Sequence, residues 1–109
     1  MAEQNDTQYT QVDEKVRRRI INYGDSLMLV EYRFQKGGIG IPHKHEDHEQ
    51  IGYVAKGSFE ILTGSETRLA KQGDSYYAPK NMIHGVVALE EDSVLIDAFT
   101  PIRADFLEK

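Results

Sequence analysis

Cysteine is absent from this chain of 109 residues. Its absence excludes disulfides, thiolate metal sites and a cysteine nucleophile, and it is compatible with a reducing cytosol. No apolar run approaches the roughly 18 residues of a membrane span, and the polar, acidic first ten residues do not have the pattern of a secretory signal. We therefore expect a cytoplasmic protein that does not associate with membranes.

Positive charge is also scarce, since 13 Lys and Arg stand against 18 Asp and Glu, for a net charge of −5. A protein that binds the phosphate backbone needs a basic face, so this balance argues against a nucleic-acid partner. The basic triplet Arg17-Arg18-Arg19 is short and close to Asp13 and Glu14, and it does not alter that expectation. A chain of this length has room for one core.

Short extended runs separated by turn residues dominate the chain after its first dozen residues. Val30, Tyr32 and Phe34 alternate with Glu31 and Arg33, the period of a half-buried strand. The other runs are 51–55, 59–62, 67–69, 75–78, 86–89 and 94–99, with Gly, Pro, Asn, Asp or Ser between them. This pattern predicts an all-β sandwich or barrel.

Three further expectations concern the ends of the chain. We expect residues 1–12 to be a loose lead-in and residues 13–109 to be the single domain. Residues 13–21 fit a helix or a strand. We favour a strand because Val16, Arg18 and Ile20, which are two residues apart, fit the period of a strand. Residues 104–109 could form a short helical turn.

Histidines carry most of the chemical information. His43 and His45 are two residues apart, so on a strand they would present two imidazoles to the same side. His84 lies far along the chain, yet distant segments meet routinely in a barrel. Imidazole suits borderline first-row metals. The alternative is that His43 and His45 form a solvated surface pair.

The spacing around these histidines resembles that of the cupin superfamily. Gly37, His43-x-His45 and Gly57 match its first motif, and Gly73, Pro79 and His84 match most of its second. The resemblance implies a single-domain jelly-roll barrel of antiparallel strands with a metal in its mouth. Two departures occur: Asn81 replaces a glycine, which is mild because asparagine tolerates a left-handed turn, and Ala88 replaces an asparagine.

The residues themselves leave the fourth ligand open. Glu49 has the carboxylate of the superfamily motif, but seven residues separate it from Gly57 where the motif has six. Gln50 has the motif's spacing but a neutral amide. A carboxylate would favour redox iron or manganese chemistry, while an amide leaves the metal a stronger Lewis acid. We interpret His48 as a loop histidine.

A closer resemblance extends over nearly everything after the first dozen residues. The segments His48-Glu49-Gln50, 84–90 (HGVVALE) and 97–103 (DAFTPIR) are similar to those of the KdgF-type pectin-degradation cupins. That family converts 4,5-unsaturated monouronates, released from pectin or alginate by lyases, into linear keto sugars. The resemblance implies one divalent transition metal (Ni, Zn, Fe, Mn or Co), and it carries the ligands onto His43, His45, Gln50 and His84.

The same resemblance carries substrate handling onto Asp97, Phe99 and Arg103. Asp97 would act as acid or base, Arg103 would bind the uronate carboxylate, and Phe99 would pack against the sugar ring. Taken singly, each has an ordinary interpretation: Asp97 on a solvent-facing strand side, Phe99 in the core, and Arg103 as a surface charge.

Two other functions are compatible with the sequence. One is a metal-dependent dioxygenase that uses Glu49 as a ligand, and the other is a cupin that binds a sugar or metal without turnover. The sequence has no helix-turn-helix segment, which argues against a self-contained transcription regulator. We expect a homodimer, because so short a chain gains from burying an additional sheet face.

Overall fold

The computed structural model describes residues 9–107, which form ten β-strands and one terminal 3₁₀ turn. The strands are β1 (Thr10–Asp13), β2 (Val16–Tyr23), β3 (Met28–Phe34), β4 (Ile39–His43), β5 (Glu49–Lys56), β6 (Ser58–Thr63), β7 (Glu66–Lys71), β8 (Ser75–Ala78), β9 (His84–Ala88) and β10 (Ser93–Thr100). The 3₁₀ turn spans Ala104–Leu107.

The strands are arranged in two antiparallel sheets. The larger sheet has the order β1-β2-β3-β10-β5-β8, and the smaller has the order β4-β9-β6-β7. Neighbours in the sheets are mostly not consecutive in the chain, so the connections cross from one sheet to the other. The all-β, single-domain jelly roll predicted from the sequence is confirmed.

Alternation along two central strands decides which side chains face the interior. In β5, Gln50, Gly52 and Val54 face inward, while Ile51 and Tyr53 are about half exposed on the outer face. In β10, every second residue from Leu95 to Phe99 is buried, and this set includes the carboxyl group of Asp97. The strand period therefore places polar residues inside the barrel as well as apolar ones.

The apolar interior forms two clusters. The larger contains the fully buried Val54, Phe59 and Ile61 between the two sheets. The smaller centres on Met28, Val30 and Phe99, with side chains of the 3₁₀ turn packed against it. Beside these clusters lies a pocket that residues of both sheets and of the 3₁₀ turn line.

The structure at the two ends of the chain bears on the predicted lead-in, the strand near residue 16 and the terminal helical turn. The strand at residues 16–23 confirms the preference for a strand over a helix, and the 3₁₀ turn confirms the short helical turn up to residue 107. The expectation of a loose lead-in is wrong for residues 10–12. Those residues belong to β1, which pairs with β2 through Thr10 opposite Arg18 and Gln11 opposite Arg17. The backbone N–H of Lys15 donates to the Asp13 carboxylate and closes the turn between the two strands. Residues 1–8 and 108–109 lie outside the described residues.

Candidate metal centre and substrate pocket

Three histidines from two distant segments of the chain meet in this pocket. His43 ends β4 and His84 begins β9, and the two residues are direct cross-strand partners. His45 lies two residues beyond the end of β4. One ring nitrogen of each of the three lies within 4.8 Å of the others. The prediction that distant segments bring His84 to the first pair is confirmed in its geometry.

His43 and His45 do not share a strand as predicted, because β4 ends at His43 and His45 lies in the following loop. A backbone hydrogen bond holds that loop in place, with the N–H of Asn81 donating to the His45 carbonyl at 2.7 Å. Asn81 has a φ of 67°, the left-handed conformation that asparagine tolerates in place of the usual glycine. The turn before His84 thus positions His45.

Backbone carbonyls orient two of the imidazoles. Nδ1 of His43 lies 2.7 Å from the Ile41 carbonyl, and Nδ1 of His84 lies 3.1 Å from the Met82 carbonyl. Because a carbonyl can only accept, each Nδ1 must carry the proton, and each Nε2 keeps its lone pair. Nε2 of His84 is buried and has no hydrogen-bond partner among the described residues. A divalent metal would satisfy that nitrogen.

Gln50, and not Glu49, faces the histidines. Gln50 is 8% exposed and lines the same pocket as the three imidazoles. Its Nε2 donates to the Tyr76 hydroxyl at 2.8 Å and lies 3.5 Å from Asp97 Oδ2. Its carbonyl oxygen accepts no hydrogen bond from the described residues, so that atom is the one able to meet a cation. Consecutive strand residues face opposite sides, so Glu49 points outward and accepts a hydrogen bond from Tyr77.

The donor set therefore fits a metal. Three neutral imidazole nitrogens and one amide oxygen suit a borderline divalent transition metal. Burial lowers the pKa of His45 to about 4, helped by the nearby His43 and Arg103, and burial also lowers the pKa of His84. Both imidazoles are thus neutral, as a ligand must be. His48 lies beside this group without joining it, its ring 5.2 Å from that of His45.

Asp97 lies inside the barrel, not on its solvent face. The residue is 7% exposed, and its carboxyl group accepts a hydrogen bond of 3.3 Å from the Tyr76 hydroxyl. Burial raises the pKa of Asp97 to about 7, and the Tyr76 hydrogen bond opposes part of that shift. Burial and the adjacent Asp97 also raise the pKa of Tyr76 well above 10. A carboxyl group that can gain or lose a proton near neutral pH is suited to acid–base chemistry.

Phe99 and Arg103 line the same pocket, which has a volume of about 460 Å³. Phe99 is buried in the smaller core cluster, and its ring lies 6.0 Å from that of Phe106. The Arg103 guanidinium lies 4.3 Å from the centre of the Phe106 ring and bonds the Asp105 carboxylate at 3.2 and 3.3 Å. All seven residues named as site residues from the sequence thus line one pocket. Their roles stay predictions.

Two further residues line the pocket that the sequence did not single out as site residues. Tyr76 is buried whereas the neighbouring Tyr77 is about half exposed, and the hydrogen bonds of Tyr76 to Gln50 and Asp97 join segments that are distant in the sequence. The sequence placed Arg18 in the basic triplet and on the strand but indicated no role in the site. The signal was its position two residues from both Val16 and Ile20, which puts all three on the inner side of β2.

Comparisons with known proteins agree with this geometry. The family described as "Cupin domain" matches residues 30–99. The pectin degradation protein KdgF of Dickeya dadantii is 53% identical over 103 residues, which cover 94% of each chain. The structure of KdgF from a Halomonas species superposes with a TM-score of 0.87 at 43% identity, covering 89% of this chain and 88% of that one.

An RmlC-like cupin from Shewanella frigidimarina superposes with a TM-score of 0.85 at 30% identity, over 94% of this chain and 93% of that one. These similarities identify a small cupin. The chain belongs to the cupin family and, within it, to the KdgF-type pectin-degradation cupins.

No helix in residues 9–107 has both the length and the apolar character to cross a membrane. The cytoplasmic location stays a prediction.

Proposed function

We propose that this protein acts in pectin degradation as a metal-dependent enzyme that converts 4,5-unsaturated monouronates into linear keto sugars. The observation that carries the proposal is the meeting of the histidine group, the Gln50 amide and the buried Asp97 carboxyl in one pocket. The 53% identity to the pectin degradation protein KdgF supports the substrate class. The reaction applies equally to monouronates from alginate.

The reaction is an isomerisation. The C1 hydroxyl loses its proton and the bond between C1 and the ring oxygen breaks, so C1 becomes an aldehyde and the former ring oxygen is left as an enolate at C5 beside the carboxylate. The enolate becomes a ketone when C4 gains a proton. One proton leaves oxygen and one reaches carbon, so no oxidant or reductant is needed. The enzyme therefore needs a group that holds a proton and a group that stabilises negative charge on oxygen.

Asp97 is our candidate for the proton carrier. Its carboxyl faces the pocket, and with a pKa of about 7 it is populated in both protonation states at neutral pH. The Tyr76 hydroxyl donates to Oδ1 and fixes the orientation of the carboxyl group. Gln50 approaches the other oxygen, so Asp97 is linked through one side chain to the metal centre.

His43, His45, His84 and Gln50 are the residues that would hold the metal. A divalent metal in this site supplies Lewis-acid stabilisation of negative charge that develops on the substrate oxygen. The amide of Gln50 contributes no negative charge, so it leaves that Lewis acidity undiminished. We infer a divalent transition metal, with Ni, Zn, Fe, Mn and Co as candidates.

Arg103 and Phe99 bind the sugar in this proposal. The planar guanidinium of Arg103 matches the geometry of the uronate carboxylate, which can replace the exposed Asp105 as its partner. Phe99 presents its ring to the same pocket, where it can pack against the apolar face of the sugar.

The direct test is turnover. Purified metal-loaded protein is mixed with unsaturated monouronate made by a pectin or alginate lyase, and the absorbance of the conjugated double bond is followed. We expect that absorbance to decay much faster with the protein than without it. An Asp97→Asn variant that retains its metal serves as the control, and equal decay with and without the wild-type protein would overturn the proposal.

The two other functions receive less support. A dioxygenase with Glu49 as ligand does not fit the site, because Glu49 bonds Tyr77 on the outer face. A non-catalytic binding cupin predicts that a uronate binds without turnover and that Asp97→Asn changes nothing. The turnover assay distinguishes that case.

We also propose a homodimer, formed through the outer face of the larger sheet. Ile51, Tyr53 and Tyr77 are each about half exposed there, and Ile51 is the cross-strand partner of Tyr77. A second copy would cover this apolar patch. We expect light scattering to give twice the chain mass for the wild type and a lower mass for Ile51→Lys.

A further inference from the structure

The three arginines of the basic triplet have different environments, because β2 alternates between the two sides of the larger sheet. Arg19 bonds Glu31 on the outer side, where the Arg17 guanidinium lies 4.5 Å from the centre of the Tyr9 ring. Arg18 has the opposite orientation. Its cross-strand partner is Tyr32, and both residues line the 460 Å³ pocket that contains the metal centre.

The Arg18 guanidinium lies on the ring of Phe106, with 3.9 Å between its central carbon and the ring centre. The Arg103 guanidinium lies 4.3 Å from the same ring centre. The two cationic groups are therefore within about 8 Å of each other on the wall of one pocket. Stacking on an aromatic ring holds a guanidinium in position and leaves its N–H groups at the edge of the plane free to donate.

The hydrogen-bonding partners of the two arginines differ. Arg103 is bonded by the Asp105 carboxylate, whereas Arg18 forms no hydrogen bond or ion pair with any group in residues 9–107. Asp105 is close enough to Arg18 for the positive charge of Arg18 to help lower its pKa, but the Asp105 carboxylate accepts its hydrogen bonds from Arg103. A half-buried guanidinium without an anionic partner, in a pocket beside a metal centre, is suited to an anionic ligand.

We propose that Arg18 is a substrate-binding residue whose guanidinium binds the carboxylate of the acidic sugar together with Arg103. This inference rests on the proposed function for the identity of the substrate as a uronate. It assigns a specificity role to Arg18: an acidic sugar gains charge-assisted hydrogen bonds from two guanidinium groups, and a neutral sugar of the same shape gains much less.

The test compares Arg18→Met with Arg17→Met in the metal-loaded, full-length protein. Both variants remove one positive charge from β2 and keep an apolar stem, but only the first changes the pocket wall. Because the carboxylate is present throughout the reaction, Arg18 would stabilise the bound substrate and the transition state alike. We expect Arg18→Met to raise KM for unsaturated monouronate by about ten- to hundredfold with little change in kcat. Arg17→Met should match the wild type.

Two further measurements separate binding from folding. Arg18→Lys keeps the charge without the planar fork, so its KM should lie between those of the wild type and Arg18→Met. Thermal unfolding should give the same Tm for Arg18→Met and Arg17→Met to within a few degrees. If Arg18→Met leaves KM unchanged while the wild type turns the substrate over, the role of Arg18 is refuted and the proposed function stands.

A binding experiment tests the role of Arg18 independently of turnover. Calorimetric titration with galacturonate and with galactose measures the preference for the carboxylate on a saturated sugar. We expect the wild type to prefer galacturonate and Arg18→Met to lose most of that preference. If this holds but the wild type does not consume unsaturated monouronate, the proposed reaction fails and the role of Arg18 stands. No preference in the wild type, or the same preference in Arg18→Met, refutes that role.

Discussion

Gly52 lies directly opposite Tyr76 in the register of β5 and β8, and the ring of Tyr76 occupies the space where a side chain on Gly52 would stand. Gly52 is also the register partner of Asp97 in β10. A Cβ on Gly52 would lie 2.7 Å from Asp97 Oδ1 and closer still to the Tyr76 ring. The missing side chain thus lets the hydroxyl of Tyr76 meet both Gln50 and Asp97.

Gly52→Ala is therefore expected to disturb the site. The added methyl group forces the Tyr76 ring or the Asp97 carboxyl to move, which breaks the bonds that orient Asp97 and Gln50. Overpacking of this kind destabilises a core by about 1–3 kcal/mol, and we expect kcat to fall by about tenfold or more. The measurements are initial rates and urea unfolding. Gly24→Ala is the matched control, because a Cβ there meets no heavy atom within 4 Å. Full activity in Gly52→Ala would contradict the positioning role.

The fourth ligand can be decided with neighbouring variants. Gln50→Ala removes the only amide oxygen facing the three imidazoles in the described part of the chain, so metal affinity should fall by about tenfold or more. Glu49→Ala removes a carboxylate that points outward and should leave affinity unchanged. Competition with a chromogenic chelator measures both. Loss of metal in Glu49→Ala with retention in Gln50→Ala would reverse the assignment.

Metal binding should increase the free energy of unfolding of the protein. A metal that binds only the folded chain adds about 2.7 kcal/mol to the free energy of unfolding at a free concentration one hundred times Kd. We expect the Tm of the wild type to rise on adding the metal and to fall again with a chelator. His84→Ala should abolish that rise. His48→Ala should retain it, since His48 lies outside the group of three nitrogens.

Asp97 should make the stability of the metal-free protein depend on pH. Its pKa is raised from 3.8 to about 7 by burial, so the folded chain holds a proton that the unfolded chain has released between those values. The free energy of unfolding of the wild type therefore falls as the pH rises from about 4 to about 7. The Asp97→Asn variant lacks this pH-dependent contribution to the free energy of unfolding, because an amide does not titrate. The amide oxygen can still accept a hydrogen bond from the Tyr76 hydroxyl.

We expect Asp97→Asn to gain stability over the wild type as the pH rises, by about 2–4 kcal/mol at pH 8 relative to pH 4. Urea unfolding at several pH values in the presence of chelator measures the difference. The same variant should lose about a hundredfold or more in kcat when loaded with metal. A stability difference that does not change with pH would show that the pKa of Asp97 is ordinary.

The fold and most of the candidate site residues could be predicted from the sequence, because both depend on local periodicity and on spacing. The alternation of Val30, Tyr32 and Phe34 and the regular turns predicted the strands. The spacing of His43, His45 and His84 predicted a histidine-based metal site, and resemblance to the KdgF-type cupins selected Gln50 over Glu49.

Which side of each strand faces the interior, and which side chains meet there, could not be predicted from the sequence because both depend on the tertiary structure. Register between β5, β8 and β10 places Gly52, Tyr76 and Asp97 together, and register depends on pairing between segments distant in the chain. The same holds for Arg18. Its charge made it resemble a surface residue, and only the pairing of β2 with β3, with Phe106 packed over it, places it in the pocket.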